Sequence, residues 1–233
     1  MSKTDRHSAP PGRIEVITGG MFSGKSEELV RRLKRALIAR QRVQVFQPAD
    51  DTRGSERLIV TRDQRQLEAI SVRSSEELHQ RLTVGVEVVG VDEAQFFDHG
   101  LVQLAMDMAD LGVRMIVAGL DQDFSRQPFG PMPDLLAVAE YVDKMHAVCV
   151  RCGSPAHYSQ RTAGGSEQRQ VGDVESYEAR CRQCFEAFVP NADERRRGFL
   201  GAAAVEPIRV QEDPGQEATD VPAPPVALRG SEG

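Results

Sequence analysis

Gly19-Gly20-Met21-Phe22-Ser23-Gly24-Lys25-Ser26 decides the fold. These eight residues satisfy G-x-x-x-x-G-K-[ST] in full. The apolar run IEVIT (14–18) precedes them, and a pattern with Leu29, Val30, Leu33, Ala36 and Leu37 on one helical face follows. Strand, glycine-rich turn, helix is the context in which this motif cradles phosphate: the glycines turn backbone N–H groups inward and the helix N-terminus adds partial positive charge. Lys25 is expected to reach the β- and γ-phosphates of a nucleoside triphosphate such as ATP, and Ser26 to ligate Mg²⁺. Without a ligand, the same stretch would be a Gly-rich turn between strand and helix.

Outward from the loop, strand-like and helix-like patterns alternate, as in a parallel sheet. VQVFQ (43–47) is the next strand, and LIVT and AISV lie around a polar turn within 51–73. Ser74 and Glu77 make a capping box for a helix over 74–82. VEVVGVD (86–92) is a buried strand, and a helix from Asp98 carries Leu101, Leu104, Ala105 and Met108 to a stop at Gly112. VRMIVAG (113–119), a helix over 134–141 and a strand over 143–148 complete an α/β architecture. The fold class is a P-loop NTPase-like, mostly parallel sheet flanked by helices, with a small zinc-ribbon-like second domain.

A magnesium-dependent phosphate site needs an acid at the end of a neighbouring strand, and Asp92 stands there. Glu93, beside it, could accept a proton from a hydroxyl or from water. The plainer reading of this Asp-Glu pair is a solvated strand end or a helix cap.

Cys149-Val150-Arg151-Cys152 and Cys181-Arg182-Gln183-Cys184 are two C-x₂-C knuckles separated by 28 residues. The spacer exceeds the usual length, so the hairpin between them must carry an insert. Four cysteines suit a structural Zn²⁺ and leave no open coordination position for catalysis. Four free or redox-active thiols are the competing reading. Residues 153–180, with Gly164, Gly165 and Gly172 as hinges, form a closed loop that reads as either a lid or a disordered insert.

The organisation is thus a flexible arm (1–12), a P-loop domain (13–148), a zinc-binding lid domain (149–189) and a disordered tail (190–233). The net charge is −6; the tail holds eight acids and five arginines, so −3 is left on residues 1–189. Neither part is basic, which speaks against a protein that wraps nucleic acid. No stretch approaches the roughly 18 apolar residues of a membrane helix, and the N-terminus lacks the apolar segment of a signal peptide, so a cytoplasmic location and no membrane partner are expected. His99 and His146 stand apart from any cysteine or acidic pair and read as surface or packing histidines. Arg195, Arg196 and Arg197 read as a solvated face.

Taken together, GGMFSGKS, Asp51-Thr52-Arg53, VDEAQFF (91–97), AGLDQDF (118–124) with PFG (128–130), and two C-x₂-C pairs around GDVESY (172–177) resemble the P-loop, zinc-bearing thymidine kinases. The resemblance covers roughly residues 13 to 189. It implies ATP-dependent phosphorylation of thymidine, and of deoxyuridine, at the 5′-hydroxyl, with Glu93 as general base and Arg53 as the positive charge near the transferring phosphoryl. The nucleotide and its Mg²⁺ would lie along residues 19–26, Asp51, Thr52, Arg53, Asp92, Glu93, Ala94 and Gln95. Taken without the resemblance, Asp51-Thr52-Arg53 is simply a polar turn.

By the same resemblance, Phe96, Phe124 and Phe129 wall the nucleoside pocket, with Met21 and Leu120 beside the base. Gln168, Arg169, Gln170, Val171 and Gly172 form the lasso whose backbone reads the base edge, and Tyr177 closes over it. Phe97 is expected in the core. A homotetramer, feedback inhibition by the end-product triphosphate and small-molecule partners only, with no nucleic acid, are further implications. The rival class is a nucleic-acid-stimulated P-loop ATPase with a zinc ribbon. A third is an interaction module whose nucleotide site acts only as a switch.

Overall fold

The apolar run along the first strand lets it sit inside a sheet covered on both faces, where its residues are buried without a break after the first. In the structure, a computed structural model that describes residues 12–49, 58–60, 66–162 and 176–186, strand β1 spans Arg13–Gly19. It is followed by α1 (Lys25–Ile38), β2 (Val43–Pro48), a hairpin of β3 (Leu58–Val60) and β4 (Gln66–Glu68), β5 (Ile70–Val72) and α2 (Ser75–Arg81). Then come β6 (Val88–Val91), a 3₁₀ turn (Ala94–Phe96), α3 (Gly100–Asp110), β7 (Arg114–Gly119), α4 (Met132–Val138) and β8 (Tyr141–Met145). The six-stranded sheet has the order β5-β2-β6-β7-β1-β8, and every pairing in it is parallel.

The period-2 alternation sends each strand's side chains to two separate cores. Ile14 and Val16 of β1, Val89 and Val91 of β6, and Met115 and Val117 of β7 pack with α3 residues Leu101, Leu104 and Ala105. On the other face, Ile17, Val88, Ile116 and Ala118 meet Leu29, Val30, Leu33 and Ala36 of α1. Helix α1 approaches closely at Gly90, where an added Cβ would lie 2.8 Å from Leu33 Cδ1. Leu37 departs from its expected place on this stripe: it is 45% exposed, because the last turn of α1 contributes only Ala36 to the core.

Ser74 caps α2 as expected, accepting from the Glu77 N–H at 3.1 Å, while the Glu77 carboxylate takes the Arg73 N–H instead of that of Ser74. Gly112, at φ +90°, ends α3. The helix expected over 134–141 is shifted: it starts at Met132, because Pro133 is tolerated in a first turn, and stops at Val138. Ala139 turns extended and Glu140 accepts the Ile14 N–H at 2.6 Å, which commits the chain to β8 at Tyr141, two residues ahead of the expected strand.

Beyond β8, the paired short strands β9 (Ala147–Val148) and β10 (Pro155–Ala156), and β11 (Tyr158–Arg161) and β12 (Tyr177–Arg180), are antiparallel. Their small core contains Ala147, Cys149, Ala156, Ala179 and Cys181. The Thr162 N–H donates to Ser176 O at 2.8 Å and closes the base of the expected insert. The hinge glycines Gly164, Gly165 and Gly172, the arm and the tail lie outside the described residues.

Candidate active site

The phosphate loop starts where β1 runs out of room. Gly19 adopts φ +139°, and a Cβ there would lie 2.2 Å from Met145 O. Gly24, at φ +85°, reverses the chain into α1. Lys25 Nζ folds back and donates to Gly20 O at 2.8 Å. Burial pulls the Lys25 ammonium below its ordinary pKa, against the opposing fields of Glu93, Asp92 and Asp121. Ser23 Oγ is buried in this loop without a hydrogen-bond partner among the described residues. A buried, unsatisfied hydroxyl beside a half-buried lysine and a helix N-terminus is a donor set that suits phosphate oxygens.

Asp92 follows β6 directly, two strands from β1 in the sheet. Ser26 Oγ lies 3.3 Å from Asp92 Oδ1, and the Glu93 N–H donates to the same oxygen at 3.0 Å. Burial, then the negative charge of Glu93, pushes the Asp92 carboxyl up to about 7. A hydroxyl and a buried carboxylate brought together at the loop are hard oxygen ligands, which fits Mg²⁺. Glu93 is exposed and sits at φ +52°, a left-handed conformation costing about 1 kcal/mol for a non-glycine residue. That conformation lets the chain leave the strand and enter the 3₁₀ turn Ala94–Phe96.

Gln95 is 2% exposed, and both the nitrogen and the oxygen of its side-chain amide bond within the protein. Nε2 donates to Glu93 Oε2 at 2.6 Å, and Oε1 accepts the Leu120 N–H at 2.9 Å. Phe96 meets Phe129 edge-on, with centroids 5.4 Å apart. The Arg161 guanidinium lies 3.6 Å from the Phe124 ring centre, and its Nε donates to the Tyr177 hydroxyl at 2.9 Å. Phe124 and Tyr177 therefore share one cation. Met21 is tied by its N–H to Ser159 Oγ at 2.9 Å, a bond from the phosphate loop to β11. Phe97 is in the core, as expected.

Asp51, Thr52 and Arg53, and Gln168 through Gly172, lie outside the described residues. Sequence reading missed Ser159, Arg161 and the Lys144–Asp121 ion pair at 2.6 Å. Ser and Arg in YSQR, and Asp and Lys in separate loops and strands, carry no local signal. It also set His146 apart: its ring packs on His157, centroids 4.3 Å apart, which fits a packing histidine although not an isolated one. His99 is on the surface, with Nδ1 3.2 Å from Asp134 Oδ2.

The four cysteine sulfurs lie within 4.8 Å of one another, and Cys152 Sγ and Cys181 Sγ are 3.5 Å apart. Tetrahedral Zn²⁺ with bonds of about 2.3 Å needs sulfurs roughly 3.8 Å apart, so the cluster fits the metal with small adjustments. Burial raises the Cys149 thiol pKa, but backbone N–H groups of Cys181, Arg151 and Cys152 outweigh this and hold it at about 6. Such N–H groups aimed at sulfur support thiolate ligands.

A glycine-rich loop between a parallel strand and a helix, with acids after the strand that lies two away, defines the P-loop class of nucleotide-binding proteins. A family model for thymidine kinase matches residues 12–185. Curated relatives named Thymidine kinase include one from Bdellovibrio bacteriovorus, 52% identical over 174 residues, covering 75% of this chain and 85% of that protein. Others come from Bacteroides thetaiotaomicron, 51% identical with 75% and 87% covered, and from a Rhodothermus species, 51% identical with 78% and 84% covered. The chain belongs to the thymidine kinase family.

Proposed function

We propose that the protein transfers the γ-phosphoryl group of ATP to the 5′-hydroxyl of thymidine, and of deoxyuridine, in nucleotide salvage. The observation that carries this reading is Glu93, held out from the end of β6 beside Asp92 and across from Lys25. Lys25 and the loop N–H groups bind and orient the triphosphate, with the Ser23 hydroxyl turned to a phosphate oxygen. Glu93 takes the proton of the 5′-hydroxyl as that oxygen forms its bond to the γ-phosphorus; the bond from the γ-phosphorus to the β,γ-bridging oxygen breaks, and ADP leaves with that electron pair. Ser26 and Asp92 would hold Mg²⁺, which neutralises charge on the phosphates when bound. Arg53 supplies positive charge near the transferring group.

Phe96, Phe124 and Phe129 wall the nucleoside pocket with Met21, Leu120 and Tyr177, and Gln168 to Gly172 read the base edge. Cys149, Cys152, Cys181 and Cys184 hold a structural Zn²⁺ that pins both ends of the loop 153–180 and so closes the lasso domain (149–189) that follows the kinase domain (13–148). We further infer a cytoplasmic homotetramer acting on small molecules. No helix among the described residues is long and apolar enough to cross a membrane. The rival ATPase reading has less support: it calls for a basic face, which the charge of −6 does not offer.

The test is ADP release from Mg·ATP with a panel of nucleosides and, in parallel, single-stranded nucleic acid. Turnover with thymidine or deoxyuridine alone, lost in Glu93→Gln while ATP still binds, is expected. Turnover driven by nucleic acid alone would overturn the reading.

A further inference from the structure

We propose that Gln95 is a positioning residue for the phosphoryl transfer, holding Glu93 by Oε2 so that Oε1 is the oxygen that takes the hydroxyl proton. This rests on the reading of Glu93 as the base and says which of its atoms does the work. Gln95 Nε2 donates to Glu93 Oε2 at 2.6 Å, and Gln95 Oε1 accepts the Leu120 N–H at 2.9 Å.

The two partners fix the amide's orientation. Turned over, it would set its oxygen against a carboxylate and its NH₂ against an N–H, two repulsions in place of two hydrogen bonds. The amide also has little freedom to shift. A Cβ at Gly119 would lie 2.9 Å from Gln95 Oε1, and one at Gly130 only 2.2 Å from the Gln95 carbonyl oxygen, so both neighbours are stripped to glycine where Gln95 passes.

Stability alone does not account for the bond to Glu93. That carboxylate is exposed, and water would satisfy its oxygens as well as Gln95 does. What water cannot supply is a fixed direction. A glutamate has three rotatable bonds, and Glu93 hangs from a left-handed backbone that packing does not enclose. The hydrogen bond from a buried, doubly anchored amide selects one orientation of the carboxylate. It also occupies Oε2, which leaves Oε1 for the substrate. In the transfer, the proton of the 5′-hydroxyl passes to Oε1 and the hydroxyl oxygen's electron pair forms the new bond to phosphorus. The second anchor is the backbone of Leu120, a residue placed beside the nucleoside, so one amide sets the base in register with the pocket.

The experiment compares full-length wild type, Glu93→Gln, Gln95→Met and Gln95→Glu in steady-state transfer from ATP to thymidine. Gln95→Met removes both hydrogen bonds. Gln95→Glu keeps an acceptor for the Leu120 N–H and removes the donor to Glu93; it is assayed at alkaline pH, where a carboxyl at 95 is ionised. Thermal melts and ATP binding establish folding, and either Gln95 variant that folds carries the test. The expected result is a kcat lower by about 10²-fold, with KM for ATP and thymidine within about 3-fold of wild type. A raised KM for thymidine with kcat unchanged, or wild-type kinetics, would overturn the proposal by showing that Gln95 only shapes the pocket or the core. If Glu93→Gln retains full transfer, the reading of Glu93 as base fails; if Glu93→Gln loses transfer while the Gln95 variants keep the wild-type kcat, only the positioning role fails.

Discussion

Arg114 grips Glu15 with two hydrogen bonds, Nε to Oε1 at 2.6 Å and Nη2 to Oε2 at 2.9 Å, and so locks β7 to β1 at the start of the central strands. Arg13 and Arg32 reach the same carboxylate, which is 5% exposed. Burial alone would raise the Glu15 pKa; Arg114 and Arg13 outweigh it and lower it to about 2 from 4.5. A carboxylate depressed in the folded state stabilises above its unfolded pKa, and that contribution is lost as pH falls through the folded value. Glu15→Gln is therefore expected to cost about 2–3 kcal/mol at neutral pH, because three guanidinium groups lose their shared partner. The gap between variant and wild type in urea melts should begin to close below about pH 4.5 and vanish near pH 2. An equal gap at every pH would refute the linkage.

The core of the cysteine lobe is small, so zinc bound at its four thiols would contribute much of the lobe's stability. Ala147, Ala156 and Ala179 are small, and the remaining buried members are two of the thiols. Folded protein is expected to contain one zinc per chain by elemental analysis. Chelation under mild denaturant should raise hydrogen exchange across 147–161 and 177–181 and leave β1, β6 and β7 protected, since the sheet has its own two cores. Metal-free protein with the same exchange pattern would count against the assignment.

The phosphate loop, the acids after β6 and the four cysteines were legible because each is a local pattern whose chemistry depends on spacing along the chain. So were β1, β6 and β7, whose apolar runs reflect burial on both faces. What escaped was made across the fold. Gln95 reaches Leu120, Met21 reaches Ser159, and Arg161 is shared by Phe124 and Tyr177, contacts between residues that no window contains together. Strand β8, YVDKM, was misplaced for a different reason: as an exposed edge it carries Asp143 and Lys144 and no apolar run. Its start was set by a bond from the distant Ile14 to Glu140.

Asp92 sets function against stability. Its carboxylate is buried beside the like charge of Glu93, an arrangement that a bound magnesium ion would relieve. Asp92→Asn keeps an oxygen for the Ser26 hydroxyl and the Glu93 N–H while removing the charge. Without nucleotide or metal, the variant is expected to melt a few degrees higher at neutral pH, each 1 kcal/mol being worth about 2–4 °C in a chain of this size. Its magnesium-dependent turnover should fall by at least about 10²-fold. A lower melting temperature would show that the ionised carboxylate is itself a structural bond.

Three glycines separate crowding at Gln95 from backbone strain. Gly112→Ala meets nothing within 4 Å but must hold φ +90°, so it should cost about 1 kcal/mol and leave kinetics untouched. Gly130→Ala combines φ +51° with a Cβ 2.2 Å from the Gln95 carbonyl oxygen; backbone cannot yield that far, and poor folding is expected. Gly119→Ala carries no such φ, and its Cβ would lie 2.7 Å from Met132 Sδ and 2.9 Å from Gln95 Oε1. The methionine end can swing aside, whereas the amide oxygen is pinned by the Leu120 N–H. Gly119→Ala is therefore expected to fold, to lose about 1–2 kcal/mol, and to lower kcat roughly 10-fold with KM for ATP unchanged, because the amide that holds Glu93 is the part that must move. Urea melts and steady-state kinetics on the three variants give the comparison. A Gly119→Ala enzyme as active as Gly112→Ala would show that crowding the Gln95 amide leaves the direction of Glu93 undisturbed.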